Sequence, residues 1–164
     1  MKVESVPIAT LSQDPANARK HDDKNLEAIK ASLRRFGQQK PIVVDSSNVV
    51  RAGNGTLAAA TALGWESINV VQTNLQGSEA TAYAIADNRT AELAEWDDAI
   101  LESLLQELRL DNDKMLLDST GFSQAEIEEM CSDVDAPEDF LEIDEGIDVE
   151  HTCPKCGYQW SGNE

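Results

Sequence analysis

Residues 49–63 constrain this chain more than any other stretch. Val49-Val50-Arg51-Ala52 has the β-branched character of a strand, and Thr56-Leu57-Ala58-Ala59-Ala60-Thr61-Ala62-Leu63 reads as a small-residue helix ending at Gly64. Only Gly53-Asn54-Gly55 separates them. A strand that becomes a helix within three residues needs backbone conformations and close approaches that side chains would block, and glycine permits both. The helix start then offers unpaired N–H donors and a positive dipole end, which together make an anion site. The same residues equally serve a tight turn with no ligand. The Gly-x4-Gly-Lys-Ser/Thr spacing of a Walker loop is missing.

The flanking chain reads as a small mixed α and β domain. Val6-Pro7-Ile8 suits an edge strand, where proline is tolerated. The stretch from Ser12 to His21 reads as a loop. A helix is expected to begin with Asp22 or Asp23 as its cap, with Leu26, Ile29, Leu33 and Phe36 forming one apolar stripe and Gly37 closing it. Pro41–Val44 and Asn48–Arg51 form a hairpin through Asp45-Ser46-Ser47, and Ser67–Val71 is a further strand. Helices follow over 77–94 and 97–109, and the capping-box pattern Ser123-Gln124-Ala125-Glu126 opens a last one ending near Cys131. Trp65, Trp96 and Tyr83 are read as core or domain-edge packing. The organisation is a core domain over 1–111, a helical extension over 112–132, an acidic linker over 133–150 and a cysteine knuckle tail over 151–164.

Charge limits the partners. The net charge is −18. Residues 1–51 carry nine Lys/Arg against six Asp/Glu, whereas residues 52–164 carry four against 25. A protein that holds DNA by neutralising phosphates needs a basic face, and only the first third offers one, so direct DNA binding by the whole chain is not expected. With no apolar run near the roughly 20 residues that cross a bilayer and no secretory signal pattern at Met1-Lys2-Val3-Glu4, the chain is read as cytoplasmic with reduced cysteines.

Four segments in order, Asp14-Pro15-Ala16-Asn17-Ala18-Arg19, Gly37-Gln38-Gln39-Lys40-Pro41, the glycine loop and Asp87-Asn88-Arg89, resemble the ParB N-terminal domain, whose fold is shared with sulfiredoxin. The resemblance covers residues 5 to about 100 and looks closest to stand-alone ParB-like proteins of bacteriophages, in a host cell's cytoplasm. It implies an α+β fold with a small mixed sheet and packed helices. It also implies a nucleotide or phosphate site at Arg19, Gly37, Lys40, Gly53, Asn54, Gly55, Thr56 and Arg89, with Asp87 and Asn88 holding Mg²⁺ and Asp87 the candidate catalytic group. The sequence departs from the family where Lys40 replaces a glutamine and where Asn54, Gly55 and Thr56 replace Glu-Arg-Arg or His-Arg-Arg, so that the arginine pair that clamps the triphosphate is lost. The family's fold is therefore carried over more firmly than nucleotide hydrolysis. Sulfiredoxin chemistry is excluded, because the glycine loop has no cysteine. Nothing after the domain resembles a basic recognition helix. A valine at Gly53 is expected to remove the anion site while leaving the fold intact.

His151-Thr152-Cys153-Pro154-Lys155-Cys156-Gly157 contains half of a zinc knuckle. The Cys-x-x-Cys spacing lets two thiolates meet one metal, and a structural site needs four ligands. His151 is the expected third, and Cys131 or a second chain, in a homodimer, the fourth; a metal-free pair is the alternative. His21 is read as a surface histidine. Three functions compete: a ParB-like accessory that binds nucleotide beside DNA-processing or DNA-modifying proteins; an enzyme of the same fold, a nuclease or small-molecule phosphotransferase; and a structural interaction protein that has lost its ligand.

Overall fold

The computed structural model describes residues 1–111, 113–132 and 151–160. The expected acidic linker over 133–150 lies outside the described residues. The chain divides into two units, Met1–Ser132 and Asp133–Glu164.

The first unit is built on a five-stranded mixed sheet. Its strands are β1 (Val3–Pro7), β2 (Ser12–Gln13), β3 (Ile42–Val44), β4 (Val49–Ala52) and β5 (Ser67–Gln72), in the order β1-β5-β3-β4-β2. β1 pairs antiparallel with β5, β5 parallel with β3, β3 antiparallel with β4, and β4 parallel with β2. Pro7 ends the edge strand β1, where its missing N–H costs no ladder bond. β2 is a two-residue strand inside the stretch expected to be a loop. It is too short to show a period, and exists because Ser12 and Gln13 run beside Val49 and Val50.

Helix α1 (Asp23–Phe36) starts where Asp22 accepts the Asn25 N–H at 2.8 Å, and stops at Gly37, whose φ of 68° is left-handed. Helix α2 (Asn54–Ala62) begins two residues earlier than its composition suggested, because Gly53 already acts as the cap. Leu33 of α1 and Leu57, Ala59 and Ala60 of α2 pack on Ile42, Val44, Val50, Ile68 and Val70. The two alanines keep α2 close to the sheet, and the alternation of Ile42 with Val44 is the period of a half-buried strand. Helix α3 (Gly77–Glu92) packs beside β4 and buries Ala80.

The helical extension belongs to this first unit. Helix α4 (Asp98–Leu110) turns Leu101 and Leu105 onto Ile127 and Cys131 of the segment around α6 (Gln124–Met130), while the short α5 (Lys114–Asp118) packs against α1 and α4. The expected capping box is present: Ser123 N–H and hydroxyl donate to Glu126 at 2.7 and 2.6 Å, and Glu126 N–H returns to the hydroxyl. The two bonds that Ser123 donates to the carboxylate, its hydroxyl first, together with the Lys24 ammonium, pull the Glu126 carboxyl down to about 2. Trp96 is not a core residue. It is 70% exposed and meets Phe122 edge-on, with ring centroids 6.0 Å apart. Among the described residues no helix is long and apolar enough to cross a membrane.

A buried ionic knot ties the hairpin to the first loop. Arg51 on β4 donates to Asp45 Oδ2 from Nε and Nη2 at 3.0 and 2.7 Å, and to Asp14 Oδ2 from Nη1 at 2.7 Å. Asp45 Oδ1 accepts the Ser47 and Val49 N–H groups, and Asp14 Oδ1 accepts that of Ala16. Burial pushes the Asp45 carboxyl up, but the two N–H donors and Arg51 outweigh it, so Asp45 titrates below its ordinary range. Replacing Arg51 leaves two buried carboxylates without their cation, which costs about 3–5 kcal/mol. Arg51→Met should lose that much in urea unfolding at pH 7, and Arg51→Lys part of it, because an ammonium cannot fork to both acids. The folded carboxyl of Asp45 binds protons more weakly than the unfolded one. Its stabilisation is therefore complete above about pH 4 and disappears as pH falls through the folded value. Asp45→Asn should flatten that acid limb of the stability curve.

Candidate functional site

The glycine turn has the geometry its sequence implied. Gly53 has φ 99°, in the left-handed region, and its carbonyl accepts the first helical bond, from Leu57 N–H at 3.0 Å. The N–H groups of Asn54, Gly55 and Thr56 consequently have no partner within the helix. Gly53 is also a packing necessity. A Cβ there would lie 2.5 Å from Ile42 Cγ2 and 3.0 Å from Ile42 Cβ. The expectation that valine could replace it without harm to the fold is therefore corrected. At Gly55 the obstruction is different: a Cβ would meet the His21 ring at 2.7 Å and Ile29 Cδ1 at 3.0 Å. His21 is thus not a free surface residue but lies over the first turn of α2, its Nδ1 2.7 Å from Asn25 Oδ1.

The expected ligand residues do not share one site: two groups line separate cavities, and Asn54 and Gly55, both buried, line neither. Lys40, Gly53, Thr56 and Asp87 line one cavity of about 140 Å³, together with Tyr83. Burial first, and the Asp87 carboxylate second, push the Tyr83 phenol up. A neighbouring cavity of about 250 Å³ shares Lys40 and Thr56 and adds Gly37 and the ring of Phe36, which is 43% exposed. Arg19, Asn88 and Arg89 instead line a separate cleft of about 560 Å³ between the first loop and α3.

Asp87 and Asn88 are consecutive on a helix, so their side chains diverge by about 100°. They line different cavities, and the structure does not bring them together as a Mg²⁺ pair. The Asn88 amide donates to the Ala84 carbonyl at 2.8 Å. The two arginines share one acid: Arg19 meets Glu92 at 2.7 Å and Arg89 meets it at 3.3 Å. The Asn54 side chain is committed to the fold. It accepts the Asp14 N–H at 3.0 Å and donates to the Val50 carbonyl at 3.2 Å, so that only the Asn54 backbone N–H is left for a ligand.

Two contributors escaped the sequence reading. Tyr83 lies one helical turn before Asp87, a spacing that would have placed both on one face of α3. Gln38 clamps the loop after α1 onto β5, donating to the Asn69 carbonyl at 2.8 Å and accepting its N–H at 2.7 Å. This bidentate bond carries Lys40 to the mouth of the glycine turn, and nothing local announces it.

The family model described as the ParB N-terminal domain matches residues 1–89. The chain belongs to the ParB N-terminal domain family. Nucleoid occlusion proteins of Bacillus thuringiensis (strain Al Hakam) and Bacillus cereus (strain AH187) are each 28% identical to it over 132 residues, 77% of this chain and 46% of theirs. The chain thus spans about half the length of these curated relatives. The C-terminally truncated chromosome-partitioning protein ParB from Caulobacter crescentus, solved in complex with CTP-gamma-S, superposes with a TM-score of 0.67 at 19% identity, over 80% of this chain and 77% of that one. Sulfiredoxin from Arabidopsis thaliana matches more loosely, with a TM-score of 0.43 at 18% identity over 52% of this chain and 98% of that one. The α+β expectation is met by a ParB-like fold.

In this ParB-family domain the glycine turn is a structural element whatever it binds. Gly53→Ala should destabilise the protein by about 1–3 kcal/mol, from left-handed strain and contact with Ile42. The measurement is a urea midpoint compared with Gly64→Ala, where the φ is also positive, at 75°, but a Cβ would meet nothing within 4 Å. Equal losses at the two positions would mean that Ile42 moves aside freely.

Proposed function

We propose that the first unit binds a nucleoside phosphate across the α2 N-terminus and uses it as a conformational switch, as a phage-type, ParB-like cytoplasmic accessory to DNA-processing or DNA-modifying proteins. The observation that carries this reading is that Gly53 and Thr56, at the start of α2, line one small cavity together with Lys40. A cavity of 140 Å³ is below the roughly 300 Å³ of an ordinary ligand pocket, so it takes a phosphate and not a whole nucleotide. The adjoining 250 Å³ cavity has Phe36, Ile29 and Leu33 in its wall, an apolar surface suited to the rest of the ligand. Affinity for CTP in particular is supported by the CTP-gamma-S held by the Caulobacter crescentus relative. The relatives' names, nucleoid occlusion and chromosome partitioning, support a place of action beside DNA.

In this reading each group has one task. The N–H groups of residues 54–56 and the Lys40 ammonium offset phosphate charge. Asp87, at the other wall of the same cavity, repels a bare phosphate and favours one that arrives with a divalent cation. Mg²⁺ would be held by Asp87 and the phosphate, with no contribution from Asn88. Where the family carries paired arginines, Gly55 and Thr56 supply no cation, and charge stabilisation is the main catalytic contribution to phosphoryl transfer. Binding without turnover is therefore favoured over an enzyme.

A ligand that binds only the folded state raises its stability by mass action, by about 2.7 kcal/mol at a hundred times its Kd. CTP, ATP, GTP and UTP with Mg²⁺ should be compared in thermal unfolding, and at least one should raise Tm by several degrees. Lys40→Ala should remove most of that gain while leaving the ligand-free Tm within about a degree, since Lys40 is exposed. Asp87→Asn should make the shift insensitive to Mg²⁺. If no nucleotide moves the curve at millimolar concentration, the domain is an interaction scaffold. Release of phosphate from CTP or ATP should not exceed the buffer rate, and rapid release abolished by Asp87→Ala would restore the enzyme reading.

A further inference from the structure

The second unit presents its cysteines on a small hairpin. Strands β6 (His151–Thr152) and β7 (Gln159–Trp160) pair antiparallel, and within them Cys153 N–H donates to the Tyr158 carbonyl at 2.8 Å while Gly157 N–H donates to the Cys153 carbonyl at 2.9 Å. Gly157, at φ 75°, makes the tight turn after Cys156. The Cys-x-x-Cys spacing, closed by the Gly157 turn, lets both sulfurs meet one metal. Cys156 is exposed and Cys153 partly so.

We propose that this Cys153–Cys156 knuckle is one half of a tetrahedral zinc–thiolate site, and that the other half is the same knuckle of a second copy of the chain. The inference is independent of nucleotide binding. Structural zinc takes four nitrogen or sulfur ligands, and one knuckle supplies two. Among the described residues no three His, Cys, Asp or Glu side chains are placed to hold a metal. The ring expected as third ligand, His151, lies against Trp160 with centroids 5.4 Å apart. Residues 151–160 contain no carboxylate. Cys131, the expected fourth ligand, is buried among Leu101, Leu105 and Ile127 of the first unit.

A two-fold axis through the metal supplies the missing pair with identical geometry, since an isologous contact repeats each ligand. Charge is consistent with the pairing. Zinc with four thiolates carries two net negative charges, and each knuckle brings one Lys155 between its cysteines to offset one of them. Stability points the same way. A two-stranded hairpin with two-residue strands is marginal in water by itself, and metal binding supplies the folding energy that so small a unit lacks.

The test uses the full chain, reduced, with no nucleotide, refolded with zinc chloride and passed over a desalting column. Native mass spectrometry should then show dimers with one zinc per two chains, and sedimentation should show monomers after chelation by EDTA. Cys153→Ser and Cys156→Ser should each abolish both zinc and dimer, Lys155→Glu should weaken the dimer at least tenfold, and Cys131→Ser and His151→Ala should retain it. Cobalt in place of zinc should give the absorption of a four-thiolate site. One zinc per monomer, loss of metal in Cys131→Ser or His151→Ala, or no bound zinc in the reduced protein would each overturn the inference.

Discussion

Arg51 stands between two buried acids, and much of the first unit is positioned by that arrangement. One acid, Asp45, closes the β3–β4 turn; the other, Asp14, anchors the loop that precedes α1. The strand that carries Arg51 runs within two residues into the glycine turn, and Asn54, the first residue of α2, accepts the Asp14 N–H. The ionic knot and the helix start therefore share one partner. Charges taken out of water are stabilising only when every oxygen is satisfied, and here the backbone N–H groups of Ala16, Ser47 and Val49 complete the set. Among the described residues no buried side-chain nitrogen or oxygen lacks a partner.

That rigidity has a consequence for the site. The turn is pre-formed, so a ligand need not spend binding energy to order residues 53–56. The cations are arranged differently from what an anion would find ideal. Arg19 and Arg89 share the single carboxylate of Glu92 in a separate cleft, and Lys40 and Asp87 both line the small cavity. In the proposed reading, a weakly charged pocket with a fixed helix start would discriminate by fit and by accompanying cation more than by raw attraction. This agrees with a chain whose net charge is −18 and which cannot draw anions from a distance.

The two units divide the physical means of stability. The first has an apolar core from α1, α2 and the sheet and a second cluster around Leu105 and Ile127. The hairpin of the second has neither: its exposed aromatic residues Tyr158 and Trp160 stack on each other, and Trp160 meets the His151 ring, rather than enclosing a core.

The amino-acid sequence by itself determined several features that depend on neighbours a few residues apart. Asp22 and Gly37 bound α1, Ser123 and Glu126 form their box, Asp45-Ser46-Ser47 turns a hairpin, and Gly53 bends left-handed into a helix, because caps and turns are local hydrogen-bond and dihedral problems. The order of four motifs was enough to reach the ParB-like fold. What only the tertiary structure decided involves residues distant in sequence or on opposite sides of one element. His21 covers Gly55, the Asn54 amide is consumed by Asp14 and Val50, and Cys131 is enclosed by α4 and α6. Asp87 and Asn88 read as a pair along the chain, yet a helix turns about 100° between them, and the packing of α3 beside β4 sends them into different cavities. Helical periodicity states which residues share a face, but which face meets the glycine turn is set by the sheet order, and that is a long-range property no local pattern encodes.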